Sequence, residues 1–249
     1  MKRSSWEFRF AIYLIALSAV LYLVHFALYR DIHHIVFWSI TDLAFLPISV
    51  LFVTLVINRL LVMREKRAML EKLNMVIGAF FSEVGTYLLT YLSDFDPGLD
   101  RIRKKLIVTK DWSEREFLEV SKSLRNHDYE IDIKRVNLEE LRSLLVGKRN
   151  FLLRLLENPN LLEHESFTEL LRAAFHLTEE LEKRRDFKKL PDSDIEHLAG
   201  DMKRAYVLVA KEWLDYMKYL KNNYPYLFSL AMRTNPFDET ASPIVKPES

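Results

Sequence analysis

The sequence predicts an all-α protein: an antiparallel transmembrane helix hairpin whose second span continues as a long helix into a cytoplasmic helical domain. Three observations lead to this prediction. Two long runs near the N-terminus are almost free of charge. The rest of the chain is rich in Leu, Glu, Lys and Arg, and the whole sequence has only 5 glycines and 8 prolines, which favours helices over a sheet. Four later segments begin with patterns typical of helix N-termini.

Both apolar runs are long enough to be membrane spans. The first covers residues 10–29, where His25 is the only residue that could carry a charge. The second covers residues 35–61, and its stretch Ile35–Ile57 has one charged residue, Asp42. A hydrocarbon core of about 30 Å requires about 20 helical residues, so each run can cross a bilayer. The five-residue connection Arg30–His34 makes the two spans antiparallel neighbours.

Basic residues outside the two spans predict the orientation. The positive-inside rule counts Lys and Arg near the ends of the spans, and it places both termini in the cytoplasm. Only one basic residue, Arg30, lies in the connection between the spans, apart from histidines. The basic residues on the other side are Lys2, Arg3 and Arg9 before the first span, and Arg59, Arg64, Lys66, Arg67 and Lys72 near or beyond the end of the second.

Asp42 is the candidate functional residue within the spans. A carboxylate in the bilayer costs about 2.5–3.5 kcal/mol on insertion scales, so it should face protein or water. Folding the hairpin about residue 32 brings Tyr22 opposite Asp42 as a hydrogen-bond donor. The alternatives are a satisfied structural group and an ion or proton site. The polar residues grouped with Asp42 are Tyr22, His25 and Thr41 within the spans, and His33 and His34 at the outer mouth.

The helix that leaves the second span is predicted to continue without a break from Ile57 to Asp94. This stretch contains no proline, and its apolar residues recur every three or four positions. Gly78, Ser82 and Gly85 form a stripe of small residues that would let another helix approach closely. A third span over Met75–Leu92 is the alternative. Glu83 lies within this segment as a candidate buried acid, which should be paired with a basic group.

The sequence divides into a hairpin (1–62), a helical domain (63–235) and a disordered tail (236–249). Within the domain, breaks such as Asn158-Pro159-Asn160 separate about five or six helices. The tail is polar and rich in proline, which is typical of disorder. The predicted helix starts are Ser113, Asn137, Ser166 and Ser193, each followed three residues later by a glutamate.

Chemical motifs are scarce, so the sequence predicts no enzyme and no cofactor. The net charge of +1 gives no support to nucleic-acid binding, and the absence of cysteine excludes thiolate zinc sites. The region from 163 to 201 is rich in histidine and carboxylates. His176 and Glu179 share a helix face and are weak candidates for metal ligands, but a solvated charged face is the simpler interpretation.

Three stretches carry a resemblance to a known family. They are HHIVFW, DLAFLPISVLFVTLVINRLL and KLNMVIGAFFSEVGTYLL, within residues 30–92, with a weaker likeness at YPYLFSLAMRTNPFD. They resemble a prokaryotic family of uncharacterised two-span membrane proteins. The resemblance implies the cytoplasmic membrane of a bacterium or archaeon, and it implies no activity.

Taken together, these patterns favour a non-enzymatic membrane protein. We expect it to display its helical domain for a binding, sensing or scaffolding role, with the lipid bilayer and a cytoplasmic protein as partners. One alternative is a symmetric homo-oligomeric ion channel or ion-coupled transporter, with Asp42 near the pore. Another is a metal-dependent enzyme in the helical domain.

Overall fold

The computed structural model describes residues 4–159, 161 and 164–245, and these residues form helices and turns with no strand. The prediction of an all-α protein is therefore confirmed for the described part of the chain. The chain divides into two units, residues 1–66 and residues 67–249, each considered separately below. Lys2 and Arg3, which contribute to the predicted orientation, lie outside the described residues.

The first unit contains α1 (Ser4–Tyr29) and the first part of α2 (Ile32–Phe80). Arg30 connects them in the left-handed region with a φ of 50°, and Asp31 accepts a hydrogen bond from the His33 amide at 2.8 Å. The Asp31 carboxylate thus satisfies an amide in the first turn of α2, as N-terminal caps do. The connection is two residues long rather than the predicted five, because α2 already begins at Ile32.

The predicted continuation of the helix to Asp94 is confirmed with one local change. After α2, a π-helical turn at Phe81–Gly85 leads into α3 (Thr86–Ser93). One stripe of buried residues here has spacings of mostly four, whereas an α-helix has 3.6 residues per turn. One wide turn keeps all of them on the buried face. They are Leu73, Ile77, Phe81, Val84, Leu88 and Leu92.

The remaining helices complete the second unit. Short 3-10 turns at Lys104–Leu106 and Phe187–Lys189 lie between them. The α-helices are α4 (Asp100–Arg103), α5 (Glu114–Arg125), α6 (Leu138–Gly147), α7 (Arg149–Leu156), α8 (Glu165–Lys183), α9 (Asp192–Asn223) and α10 (Pro225–Arg233).

Two of the four predicted helix starts are confirmed. Ser113 forms a full capping box with Glu116, and the Asn137 side chain accepts a hydrogen bond from the Glu140 amide at 3.3 Å. At α8 the cap is instead His164, whose Nδ1 accepts from the Phe167 amide at 3.3 Å. At α9 the helix begins directly after Pro191, one residue before the predicted cap.

α9 is the central helix of the second unit, and α3, α5, α8 and α10 all pack against it. An added Cβ at Gly78 would lie 2.9 Å from the Tyr216 hydroxyl of α9, so the small residue permits this close approach. Leu88, Leu89 and Leu92 are fully buried in the same core. Within Met75–Leu92, the alternative third span, these leucines are covered by protein, whereas Met75 and Tyr87 are 71% and 45% exposed.

The predicted disordered tail begins too early. Phe237 is 1% exposed and lies edge-on to Trp213, with ring centroids 5.1 Å apart. The Asn235 amide donates to the Leu106 carbonyl at 2.8 Å, and the Ser242 amide donates to the Arg233 carbonyl at 2.8 Å. The folded domain therefore extends beyond the predicted boundary at residue 236 and includes the Phe237 ring, whereas the side chains of Ile244 and Val245 are 70% and 74% exposed. Residues 246–249 lie outside the described residues.

Candidate functional site

The hairpin contains a chain of hydrogen bonds between ring nitrogens next to its bend. Trp38 Nε1 donates to His34 Nε2 at 3.1 Å, and His34 Nδ1 lies 3.1 Å from His25 Nε2. An indole nitrogen can only donate, so His34 Nε2 is the acceptor in the first of these hydrogen bonds. Tyr29 packs against both imidazoles, with ring centroids 4.9 and 5.4 Å away.

Asp42 faces a shallow groove of about 380 Å³ that Tyr22, His25 and Trp38 also line. The expected hydrogen bond from Tyr22 to Asp42 is not formed. Instead the Ser39 hydroxyl donates to the Tyr22 oxygen at 3.4 Å. Within the described part of the chain, Asp42 forms no hydrogen bond or ion pair. The structure thus brings three of the predicted polar residues to one groove and leaves the carboxylate without a protein donor.

Two other predicted polar residues of the hairpin lie apart from this groove. The Thr41 hydroxyl donates to the Phe37 carbonyl of its own helix at 2.9 Å. The side chain of His33 is exposed, and its backbone amide is the group that contacts Asp31. Of the two histidines expected at the outer mouth, His34 therefore joins the hydrogen-bonded chain and His33 does not.

Glu83 is paired as predicted, but it is not buried. The Lys148 ammonium donates to Glu83 Oε2 at 2.7 Å, and the two side chains are 49% and 37% exposed for Glu83 and Lys148 respectively. The π-helical turn rotates Glu83 to the surface while its neighbours Phe81 and Val84 face the core. An ion pair exposed to this extent contributes about 0–1 kcal/mol, so this pair is a weak structural contact.

The strongest cluster of chemical groups lies between α8 and α9. His176 and Glu180 are four residues apart on α8, and His197 and Asp201 are four residues apart on α9. Ligand atoms of His176, Glu180 and His197 lie within 4.8 Å of one another. Asp201 Oδ2 lies 3.3 Å from His176 Nε2 and 3.4 Å from His197 Nε2. Two pairs with a spacing of four residues thus meet across the helix interface.

Asp201 is the buried member of this cluster. Its side chain is 5% exposed, and its Oδ2 forms no hydrogen bond within the described part of the chain. The other oxygen, Oδ1, lies 3.4 Å from Arg204 Nη1. The imidazoles of His176 and His197 are about half exposed, so the cluster is open to solvent on one side.

Arg184 holds the acidic groups around the cluster in place. It binds both carboxylate oxygens of Asp194, with Nε–Oδ2 at 2.7 Å and Nη2–Oδ1 at 2.6 Å. Its Nη1 donates to the carbonyl and the carboxylate of Glu180 at 2.7 and 2.5 Å. These hydrogen bonds lower the pKa values of Glu180 and Asp194, so both acids are ionised at neutral pH.

Of the two weak metal candidates, the structure places His176 in the cluster and Glu179 outside it. Glu179 Oε1 lies 3.7 Å from Arg149 Nη2, on the side of α8 that faces α7. A step of three residues places Glu179 about 60° away from His176 around the helix, on the other side from Glu180. The sequence signal that could have found the cluster is the pair of His-x-x-x-acid patterns, His176/Glu180 and His197/Asp201.

A second buried polar group joins Asp96 and His127 near the start of α4. Asp96 Oδ2 lies 2.7 Å from His127 Nε2, and these side chains are 0% and 5% exposed for Asp96 and His127 respectively. Asp96 Oδ1 also accepts from the Gly98 amide at 2.8 Å. Burial and the nearby Asp96 raise the pKa values of Tyr129 and Tyr206. Because Asp96 and His127 are both buried, their contact fixes the turn near the start of α4 to the core.

Glu212 on α9 is a buried acid that the sequence analysis missed. It is 2% exposed, and its Oε1 has no hydrogen-bond partner in the described residues. Burial raises its pKa, while a hydrogen bond from Ser166 lowers it. Its spacing of three residues from Val209 and seven from Ala205 puts Glu212 on the buried face of α9, although glutamate is usually exposed.

Comparisons with known proteins assign the chain to a family. A family model described as "MJ1433, N-terminal helical domain" matches residues 2–61. A second, described as "Uncharacterized protein MJ1433, C-terminal helical domain", matches residues 69–233. The uncharacterized protein MJ1433 of Methanocaldococcus jannaschii is 48% identical over 228 residues, which cover 92% of each chain. This chain belongs to the MJ1433 family.

The two family matches cover different clusters of those described above. The N-terminal match contains Asp42 and the ring-nitrogen chain, and the C-terminal match contains the α8–α9 cluster. The family descriptions give helical domains and no activity. No solved structure matches the chain.

Proposed function

We propose that this MJ1433-family protein is an integral membrane protein of a prokaryotic cytoplasmic membrane. In this proposal, the protein displays its C-terminal helical domain in the cytoplasm, and the domain has a non-enzymatic binding, sensing or scaffolding role. The observation that carries this proposal is the exposure of two apolar helices. The most apolar 18-residue windows in Phe8–Tyr29 and Ile32–Ser93 have mean hydropathies of 2.2 and 2.3, and none of their residues is buried by protein.

The dimensions of the first unit support a transmembrane hairpin. The 22 residues Phe8–Tyr29 extend for about 33 Å at about 1.5 Å per residue, which matches a hydrocarbon core of about 30 Å. All of the backbone hydrogen bonds in such a span are internal, as lipid requires. The basic residues outside the spans favour a cytoplasmic location for both termini and for the domain.

Membrane extraction and topology mapping test this proposal. We expect the full-length protein to remain in the membrane pellet at alkaline pH, and to be released by detergent. A variant that lacks residues 1–62 is the matched control, which should appear in the soluble fraction. Reporter fusions at the two termini should both report a cytoplasmic location, while a reporter inserted at Asp31 should report the outside. Release of the full-length protein by alkaline buffer would contradict the proposal.

The proposed binding role requires a partner that depends on the helical domain. Chemical cross-linking of the full-length protein in its native membrane, followed by purification, should capture one partner reproducibly. A full-length variant with a disrupted domain core, Phe80→Ala, serves as the control, because its hairpin is unchanged. Cross-links that persist unchanged in this variant would assign any interaction to the hairpin instead.

A homo-oligomeric channel or transporter is the second candidate, and Asp42 favours it. Its carboxylate faces a groove and has no hydrogen-bond partner in the described part of the chain. A ring of such carboxylates would select cations, but two spans per subunit cannot enclose a pore without symmetry. Light scattering of the nanodisc-embedded protein should therefore give a discrete oligomer, and Asp42→Asn should change the conductance. A monomer would exclude this candidate.

A further inference from the structure

We propose that His176, His197, Asp201 and Glu180 form a binding site for one divalent transition-metal ion of the Zn²⁺ class. This inference concerns the α8–α9 interface and is independent of the membrane proposal. It goes beyond the sequence interpretation, which paired His176 with Glu179.

Two of the spacings between ligand atoms match a tetrahedral metal centre. Zinc binds imidazole nitrogen and carboxylate oxygen at about 2.0–2.2 Å, so ligand atoms in a tetrahedron lie about 3.3–3.6 Å apart. Asp201 Oδ2 lies 3.3 and 3.4 Å from the two imidazole nitrogens. The Glu180 oxygens lie slightly farther, at 3.9 Å from His176 and 3.8 Å from His197. A small side-chain movement of Glu180 would complete the set.

The buried oxygen of Asp201 is the independent observation that points to a ligand. Leaving a buried carboxylate oxygen unsatisfied is costly, because the charge loses its hydration. Two imidazole nitrogens face Asp201 Oδ2, yet neither forms a hydrogen bond with it. A cation placed between these three atoms satisfies the carboxylate and both nitrogens at once.

The surrounding residues behave as a supporting shell. Arg184 donates to Glu180 Oε2 and orients this carboxylate through the hydrogen bond. Arg204 contacts the second oxygen of Asp201, which leaves Oδ2 directed to the imidazoles. Such outer contacts fix the orientation of metal ligands in many sites.

The donor set also decides which metals fit. Two imidazoles with one or two carboxylates suit Zn²⁺ and its neighbours in the first transition row, whereas Mg²⁺ and Ca²⁺ prefer oxygen donors alone. The half-exposed imidazoles leave an entry path from solvent, and His176 also borders an open groove of about 660 Å³. The ion would link α8 to α9 and stabilise their packing.

Ion pairs between Asp201 and protonated histidines are the competing explanation. They require no metal, and they strengthen only when the imidazoles become charged. The two explanations differ in one respect: a metal site binds Zn²⁺ with one equivalent per chain, and it also gives Co²⁺ a four-coordinate spectrum.

The experiment uses the full-length protein in detergent, without a histidine tag and after treatment with a chelator. Isothermal titration with Zn²⁺ should show one equivalent bound per chain, and Zn²⁺ should raise the Tm. Co²⁺ should give the intense visible absorption of a four-coordinate complex, and Zn²⁺ should displace it. An excess of Mg²⁺ should not compete.

Variants assign the ligands. His197→Gln and Asp201→Asn should each weaken Zn²⁺ binding by at least about tenfold, the lower end of the loss that even outer partners cause. Glu179→Gln and His33→Gln are the matched controls, because these residues lie outside the cluster, and both should bind Zn²⁺ as the unmodified protein does. If a ligand variant fails to fold, the Co²⁺ spectrum and stoichiometry of the unmodified protein still decide the question.

Three results would overturn the proposal. They are the absence of saturable Zn²⁺ binding, equal affinity in the ligand variants and the controls, and competition by Mg²⁺ at a similar concentration. An increase in Tm at low pH without any metal effect would support the ion-pair explanation instead.

Discussion

The hairpin and the helical domain are both built from helices, yet they place their apolar side chains in opposite environments. Leu55 in the hairpin is 60% exposed and Phe52 is 68% exposed, whereas Leu92 and Phe80 in the domain are fully buried. The domain supplies its own apolar surroundings through the packing of α3, α8 and α9. The two hairpin helices cannot cover each other, so their stability in the proposed membrane would depend on lipid.

The acidic residues of the two regions also differ in their hydrogen-bond partners. Asp96 in the domain contacts both His127 and the Gly98 amide, whereas Asp42 in the hairpin has no such partner among the described residues. A folded core satisfies its polar groups internally, because unsatisfied ones are costly. In the proposed membrane, the Asp42 carboxylate would need a hydrogen-bond donor from water or from another subunit.

The largest expected difference between the regions comes from removing an aromatic ring. Phe80→Ala should destabilise the domain by about 3–5 kcal/mol, because it leaves a cavity among fully buried side chains. Phe52→Ala should change the unfolding free energy of the domain by less than about 0.5 kcal/mol, because its ring lies outside that core. Thermal unfolding in detergent, followed by near-ultraviolet circular dichroism, measures both. Equal losses of domain stability in the two variants would contradict the difference between the two regions.

The buried acid of the domain should have the next largest effect. Asp96→Asn should cost about 1–3 kcal/mol, because the amide cannot accept hydrogen bonds at both positions that the carboxylate serves. Asp100→Asn is the control in the same segment, since the Asp100 side chain is 90% exposed. Chemical denaturation of the two variants under the same conditions measures the difference. A larger loss for Asp100→Asn would contradict the assignment of Asp96 as a core group.

Glu212→Gln should stabilise the domain in a way that depends on pH. Burial raises the pKa of Glu212 above the ordinary value of 4.5, so the folded state favours the protonated form. Its contribution to stability is present below about pH 4.5 and is lost as the pH rises through the folded-state pKa. At pH 7 the unfolding free energy of the variant should be higher by on the order of 1 kcal/mol, which raises the Tm by about 2–4 °C. Near pH 4 the variant should gain little stability. A Tm gain independent of pH would contradict this explanation.

The exposed pair of Glu83 and Lys148 should contribute least. A double-mutant cycle with Glu83→Gln and Lys148→Gln should give a coupling energy of about 0.2–1 kcal/mol, which falls further at high salt. The cycle measures the pair itself and cancels the separate effects of each substitution. A coupling above about 2 kcal/mol would show that the pair is protected from solvent, and that Glu83 was correctly predicted as buried.

Prediction succeeded where a local pattern decides the structure. Ser113 and Glu116 lie three residues apart, so their capping box forms within a single turn. Prediction was less successful where the structure of a segment depends on a residue far away in the sequence. Phe237 lies in a polar segment, and only the contact with Trp213 reveals that it is anchored. Glu179 and Glu180 are the same residue type at neighbouring positions, and only the position of α9 decides that Glu180 joins the cluster and Glu179 does not.

The sequence by itself determined the helices, their approximate ends, and the separation of an apolar pair from a domain with its own core. These features depend on hydrogen bonds within one helix and on hydrophobicity averaged over about 20 residues, both of which are local. Only the tertiary structure decided that His176 meets His197 and Asp201, and that Glu212 is buried. Those contacts join residues that are far apart in the chain, and their geometry follows from how whole helices pack.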